Sequence, residues 1–300
     1  MSEFAVKPLL SVAELASMTI AQLIRYGQQL LLAHSDSGKL DTELLICFVI
    51  NKSRSYLLTW PEQKLSTAQA EQFAELMLRR VRGEPIAYIV KMAEFWSLPL
   101  HVSPATLIPR PDTEVLVEQV LTHHQSSSLS CLDLGTGTGA IALALASEQP
   151  QWQIEALDYS HEAVELAQRN ANNLNLTQVN IYQSNWFQQV AQEKRFDIIV
   201  SNPPYIDEND HHLKEGDVQF EPKTALVAAE HGLADIKIIA NQARNYLTSG
   251  GFLYFEHGFE QGDAVQMILT ALGYSQVQTI KDYNGNDRVT SACYLNHLNK

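Results

Sequence analysis

Between Cys131 and Ala140 the chain reads Cys-Leu-Asp-Leu-Gly-Thr-Gly-Thr-Gly-Ala, and a run dense in alanine and leucine follows from Ile141 to Ala146. This is a strand, a glycine loop and a helix in immediate succession. Glycine lets the main chain turn tightly and approach a ligand closely. The N–H groups at the start of the following helix favour a negatively charged ligand group. Three glycines within five residues exceed what packing of a βα turn requires.

The stretches after it keep the same rhythm. Short apolar runs at Ile154–Leu157, Val179–Tyr182, Phe196–Val200 and Gly251–Phe255 alternate with helical patterns, one of them near Leu233 to Leu247. That alternation predicts an α/β fold, a mostly parallel sheet with helices on both faces. Ser275–Ile280 and Val289–Tyr294 flank Asn284-Gly285 and read as a closing antiparallel pair. Gly135-x-Gly137-x-x-Ala140 satisfies the dinucleotide fingerprint. Asp158 falls at the end of the second strand, where a carboxylate would hold ribose hydroxyls. NAD and S-adenosylmethionine both present a ribose diol, so the loop alone does not separate them. Asp133 either orients the loop amides and faces a cationic ligand, or acts as a local cap.

The separating signal is Phe196-Asp-Ile-Ile-Val-Ser-Asn-Pro-Pro-Tyr205. Ligands of a doubly wound sheet bind beyond the carboxyl ends of its strands, so Asn202 to Tyr205 belong beside the glycine loop. An amide nitrogen is a poor nucleophile because its lone pair is delocalised into the carbonyl. Two acceptors can aim it: Asn202 Oδ1 takes one N–H and the Pro203 carbonyl the other. Consecutive prolines, Pro203 and Pro204, hold these oxygens rigidly. Tyr205 offers a flat face for a planar amide or base. No strong base is needed, since the proton can leave after alkylation, and positioning supplies much of the rate. A NAD-dependent oxidoreductase would leave this motif without a role, and a non-catalytic nucleotide sensor would not need its acceptor pair.

The front of the chain is helical. Thr19-Ile-Ala-Gln22 is a capping box ahead of Leu23, Tyr26, Leu30 and Leu31. Leu40, Leu44, Leu45, Phe48 and Val49 suggest a second apolar face, and Ser66-Thr-Ala-Gln69 opens a helix carrying Phe73, Leu76, Met77 and Arg80. Gly83-Glu84-Pro85 ends the pattern, and Ile86 to Val102 reads as a connecting hairpin. Ile108-Pro-Arg-Pro-Asp112 then leads into a helix with Val115, Leu116, Val117 and Val120. The expected organisation is a helical docking domain over 1–82, a hairpin linker over 83–108 and a catalytic domain over 109–300.

With 300 residues, 45% of them hydrophobic, the chain can fill such a core. It lacks a run of about 18 apolar residues and a signal-like start, so no membrane contact and a cytoplasmic location are expected. Cys47, Cys131 and Cys293 are isolated and predict neither disulfide nor zinc. His123-His124 and His211-His212 read as surface loops, since adjacent side chains diverge on regular elements; no metal is expected. The formal charge of −13 and the absence of a Lys/Arg cluster argue against a nucleic-acid partner.

Taken with Arg82-Gly-Glu-Pro85, Glu94-Phe-Trp96, Leu107-Ile-Pro-Arg-Pro-Asp-Thr-Glu114, Glu221-Pro222 and Glu256-His-Gly258, these motifs resemble the PrmC/HemK family. Its members are protein-(glutamine-N5) methyltransferases of peptide-chain release factors. The resemblance covers nearly the whole chain. It implies a class I, Rossmann-like methyltransferase domain behind a small helical domain and a β-hairpin. It implies S-adenosyl-L-methionine as cofactor, S-adenosyl-L-homocysteine as product, and a Gly-Gly-Gln glutamine as substrate. It carries cofactor roles to Gly135, Thr136, Gly137, Thr138, Gly139, Asp158, Trp186 and Asn202, and glutamine binding to Asn202, Pro203, Pro204 and Tyr205. Trp186 would pack against adenine. A monomer is expected. Two departures stand out: Asn185 replaces a frequent Asp, and Lys91 a common glycine. The rivals are a methyltransferase for a ribosomal-protein glutamine and an adenine-N6 nucleic-acid methyltransferase, which would need a flipped base and a basic groove.

Overall fold

The computed structural model describes residues 9–32 and 35–295. Contacts divide the chain into two compact units, one of Met1–Lys91 with Lys214–Phe220, the other of Met92–Leu213 with Glu221–Lys300. Among the described residues, no helix is long and apolar enough to cross a membrane.

The first unit is built from helices Val12–Ser17, Ile20–Leu31, Gly38–Ile50, Arg54–Thr59, Thr67–Val81 and Ile86–Val90. Both expected capping boxes form: Thr19 and Gln22, and Ser66 and Gln69, exchange side-chain and backbone hydrogen bonds. Leu15, Leu23, Leu45, Phe73 and Met77 are fully buried in its core.

Two expectations for this unit fail. In Gly38–Ile50 the buried face carries Asp41, Thr42, Leu45 and Ile46, whereas Leu40 and Phe48 are exposed. The helix turns this way because Asp41 meets Arg80, Nε to Oδ2 at 2.7 Å, with both residues buried and the Ser35 and Ser37 hydroxyls donating to Asp41. Arg80 also donates to the Gly83 and Glu84 carbonyls and lies 3.8 Å from Asp217, in the segment that joins this unit from far along the chain. Second, Ile86–Val90 is a helical turn rather than the first arm of a hairpin. Pro85 presets its start, and Lys91 ends it in the left-handed region at φ 59°. That conformation favours glycine, so the lysine here carries left-handed strain.

The second unit opens with a short hairpin, β1 (Met92–Phe95) and β2 (Leu98–His101). Its two-residue turn, Trp96-Ser97, has both φ values positive. Glu114 Oε1 accepts from the Trp96 N–H at 2.8 Å and holds a turn that would otherwise prefer Asn-Gly.

Seven further strands form the sheet: β3 (Ser130–Leu134), β4 (Gln153–Asp158), β5 (Asn180–Gln183), β6 (Phe196–Ser201), β7 (Leu247–Glu256), β8 (Ser275–Lys281) and β9 (Asp287–Tyr294). Their order is β5-β4-β3-β6-β7-β9-β8. The first five are parallel to one another, while β9 runs antiparallel to both β7 and β8, so the expected closing pair is present. The central strands are buried on both faces, one by helices such as Glu114–His123 and Ala140–Glu148, the other by Ala234–Ala243 and Gly262–Ala271. The strand order reverses between β3 and β6, which places the crevice for a ligand beyond their carboxyl ends.

Of the histidine pairs, His123, His211 and His212 are exposed as expected, but the rings within each pair do not diverge. His123 Nδ1 and His124 Nε2 converge on the Tyr254 hydroxyl, at 3.1 and 2.9 Å. Burial, then the neighbouring His123, pushes the His124 pKa down to about 4. They converge because the helix ends at His123, so His124 is freed from helical geometry. His211 and His212 are exposed, but their rings lie 3.9 Å apart. With Asp210 they bring three potential ligand atoms within 4.8 Å of one another.

Candidate active site

All three loop glycines adopt left-handed backbone, with φ 74° at Gly135, 56° at Gly137 and 85° at Gly139. The Gly135 and Thr136 N–H groups both donate to the Leu157 carbonyl at 2.9 Å, which ties the loop to the end of β4. Asn170, fully buried, donates from Nδ2 to the carbonyls of Thr138 and His101, and so fastens the loop to the hairpin as well. Helix Ala140–Glu148 starts where the loop ends.

The loop forms one wall of a cavity of about 280 Å³. Gly135, Thr136, Gly137, Thr138, Asp158, Trp186, Asn202 and Pro204 line it. Three site candidates stand outside the lining: Gly139, Pro203 and Tyr205. Gly139 sits behind the loop, where an added Cβ would come within 3.0 Å of Leu143.

Asp158 takes the Gly137 N–H on Oδ2 at 2.9 Å and the Ser160 N–H on Oδ1 at 2.8 Å. Burial raises its pKa, and the Ser160, Gly137 and Tyr159 N–H groups oppose that rise. Each oxygen keeps a lone pair for a ligand hydroxyl. Ala140, Ile141, Leu157 and Trp186 supply apolar surface beside it, suited to a flat aromatic base. Trp186 has φ 46°, and its ring lies 3.6 Å from where a Gly135 Cβ would be. Asp133 does not reach the cavity: it is fully buried, and its Oδ2 accepts from the Thr136 hydroxyl at 2.6 Å. Asn185 is exposed at the cavity lining.

Asn202 follows directly on β6. Its Nδ2 donates to Thr113 Oγ1 at 3.3 Å, which leaves Oδ1 as a free acceptor on a residue that lines the cavity. Pro203 is buried, and Tyr205 retains partial exposure while its hydroxyl donates to Glu256 Oε1 at 3.2 Å. Burial, followed by the nearby Glu256 charge, pushes the Tyr205 phenol well above its ordinary range.

Residues 22–90 match the PrmC N-terminal domain family, and residues 111–220 the methyltransferase small domain family. A release factor glutamine methyltransferase of Aliivibrio fischeri is 54% identical over 275 residues, covering 91% of this chain and 97% of the relative. The chain belongs to the release factor glutamine methyltransferase family. The Escherichia coli member is 53% identical over 260 residues, covering 87% of this chain and 94% of its own length. Among solved structures, the hMettl16 catalytic domain aligns with a TM-score of 0.55 at 16% identity, over 77% of this chain and 81% of that one. A Pyrococcus furiosus methyltransferase aligns with a TM-score of 0.51 at 20% identity, over 74% of this chain and all of the other. These two likenesses establish the class I methyltransferase fold.

Sequence reasoning assigned no role to several residues of this family member's cavity, among them Thr106, Arg110, Thr113, Ser184 and Asp235. Arg110 and Thr113 lay within the quoted Ile-Pro-Arg-Pro-Asp-Thr-Glu segment, whose density of polar groups beside two prolines was the available signal. Arg110 is held by Glu221, a buried carboxylate that also accepts the Ile108 N–H, at 2.8 and 3.0 Å.

Proposed function

We propose that this chain transfers the methyl group of S-adenosylmethionine to the side-chain nitrogen of a glutamine, the one in the Gly-Gly-Gln motif of bacterial peptide-chain release factors. The observation that carries the reading is the amide of Asn202, anchored through its nitrogen and open at its oxygen, at the cavity beside the glycine loop. The cavity suits the cofactor: Asp158 has lone pairs for a ribose diol, Trp186 and Ile141 offer apolar surface for adenine, and Gly135 and Gly137 hold the left-handed backbone that forms its wall. When bound, the cofactor supplies a methyl group on a positively charged sulfur and leaves as S-adenosylhomocysteine.

The protein's part is positional. Asn202 Oδ1 accepts one N–H of the substrate amide, and the Pro203 carbonyl accepts the other. Two fixed acceptors orient the nitrogen lone pair toward the methyl group and cost little reorganisation at the transition state. Tyr205 stacks on the planar amide. The proton leaves to solvent once the nitrogen carries its methyl group. The helical unit serves as the docking module for the release factor.

Asn202→Ala tests the acceptor directly. Methyl transfer to purified release factor is expected to vanish, while equilibrium dialysis finds cofactor affinity weakened only a few-fold, about the worth of one hydrogen bond. Wild-type turnover in this variant would refute the mechanism.

A further inference from the structure

Glu256, the last residue of β7, takes no part in the reading above, although it is only 1% exposed. A carboxylate this deep is costly unless other groups use it. Tyr205 donates to its Oε1 at 3.2 Å. The Thr113 hydroxyl also bears on this carboxyl group and favours its ionised form, as does Arg288, while burial is the largest influence and acts the other way. Among the described residues the buried Oε2 has no hydrogen-bond partner, which leaves it an open acceptor. Arg288 is itself held 3.2 Å from Asp282 and 3.6 Å from Asp112, the neighbour of Thr113. Thr113 is buried and accepts from Asn202 Nδ2.

The polarity of this chain matters. A threonine hydroxyl has one proton and two acceptor sites. A Thr113 proton turned to the open Glu256 oxygen leaves Thr113 able only to accept from Asn202, as it does at 3.3 Å. The Asn202 amide must then point its NH₂ at Thr113 and keep Oδ1 for the substrate. A network of this kind, rather than packing, decides which way an amide faces.

We infer that Glu256 is a positioning residue that orients both ends of the Asn202–Tyr205 turn, Tyr205 directly and Asn202 through Thr113. The inference rests on the glutamine reading of the site. In Glu256→Gln the side chain keeps an acceptor for Tyr205 but can present an NH₂ to Thr113. The Thr113 proton is then free to point at Asn202, whose amide can turn over and offer a donor to a substrate that is itself a donor.

The experiment measures kcat and KM on purified release factor, cofactor Kd and thermal unfolding for wild type, Glu256→Gln, Thr113→Val and Thr113→Ser. Glu256→Gln and Thr113→Val are expected to lower kcat roughly tenfold or more, with cofactor Kd within about twofold, and Thr113→Ser to restore most of it. A wild type inactive on release factor would overturn the glutamine reading itself. An active wild type with kcat unchanged in Glu256→Gln and Thr113→Val would overturn this inference alone. So would a parallel loss of kcat and cofactor binding, which marks a structural role. Should Glu256→Gln not fold, the Val and Ser variants at Thr113 decide the matter by the same criteria.

Discussion

Asp133 places a buried carboxyl under the glycine loop, and its titration should be visible in the stability of the fold. Burial pushes its pKa up to about 7, opposed by the Thr136 hydroxyl and the Ala142 N–H, with the Asp158 charge adding to the rise. In an unfolded chain the same group titrates near ~3.9. The folded state therefore binds this proton more tightly. Its favourable contribution is complete below about pH 4 and is lost as pH rises through about 7. Three pH units at about 1.36 kcal/mol each set the change on the order of 4 kcal/mol. Asp133→Asn keeps an acceptor for Thr136 and cannot ionise. Any cost of housing its NH₂ is independent of pH and drops out of the slope. Urea unfolding of both proteins from pH 4.5 to 8.5 gives the difference in stability at each pH. That difference should move in favour of Asp133→Asn as pH rises, by roughly 3 kcal/mol across this interval, and level off above pH 8. A difference flat to within ~0.5 kcal/mol, or one running the other way, would refute the argument.

Three other perturbations follow from the geometry. Lys91, exposed at φ 59°, should gain about 0.5–1 kcal/mol on Lys91→Gly, because relief of left-handed strain exceeds the added chain entropy; urea unfolding of the helical unit measures it, and a loss of stability would count against the cap. Asp41→Ala strands the buried Arg80 and should cost about 3–5 kcal/mol, whereas Asp41→Leu with Arg80→Met recovers most of it; additive losses in that double-mutant cycle would deny the coupling. At Gly232, with φ 81°, an added Cβ would fall 1.9 Å from the Tyr205 carbonyl oxygen. Gly232→Ala should therefore displace the Asn-Pro-Pro-Tyr turn and lose most methyl transfer; normal turnover would show that the turn tolerates the shift.

The sheet was legible because its strands are short apolar runs bounded by helices, and because Asn202 follows β6 just where a doubly wound sheet opens. The capping boxes at Thr19 and Ser66 were legible because they are local. What escaped depends on partners far along the chain. Asp41 and Thr42 are polar yet buried, and nothing near Asp41 announces Arg80, 39 residues away. Ile86–Val90 is too short to show a period, so its β-branched residues suggested a strand. His123 is exposed as read, but His124 is half-buried, and nothing local announces that both meet Tyr254 on a distant strand. In the site, residue types pointed to Asn202 and Asp158, but the contact between Asn202 and Thr113 spans 89 residues and sets an orientation that no local motif encodes.

The most direct test incubates the chain with labelled S-adenosylmethionine and purified release factor that has never been methylated. A second release factor carries alanine in place of the Gly-Gly-Gln glutamine. The account predicts label on that glutamine alone and none on the alanine variant. Label on DNA, on a ribosomal protein, or on another residue of the release factor would contradict the assignment of substrate.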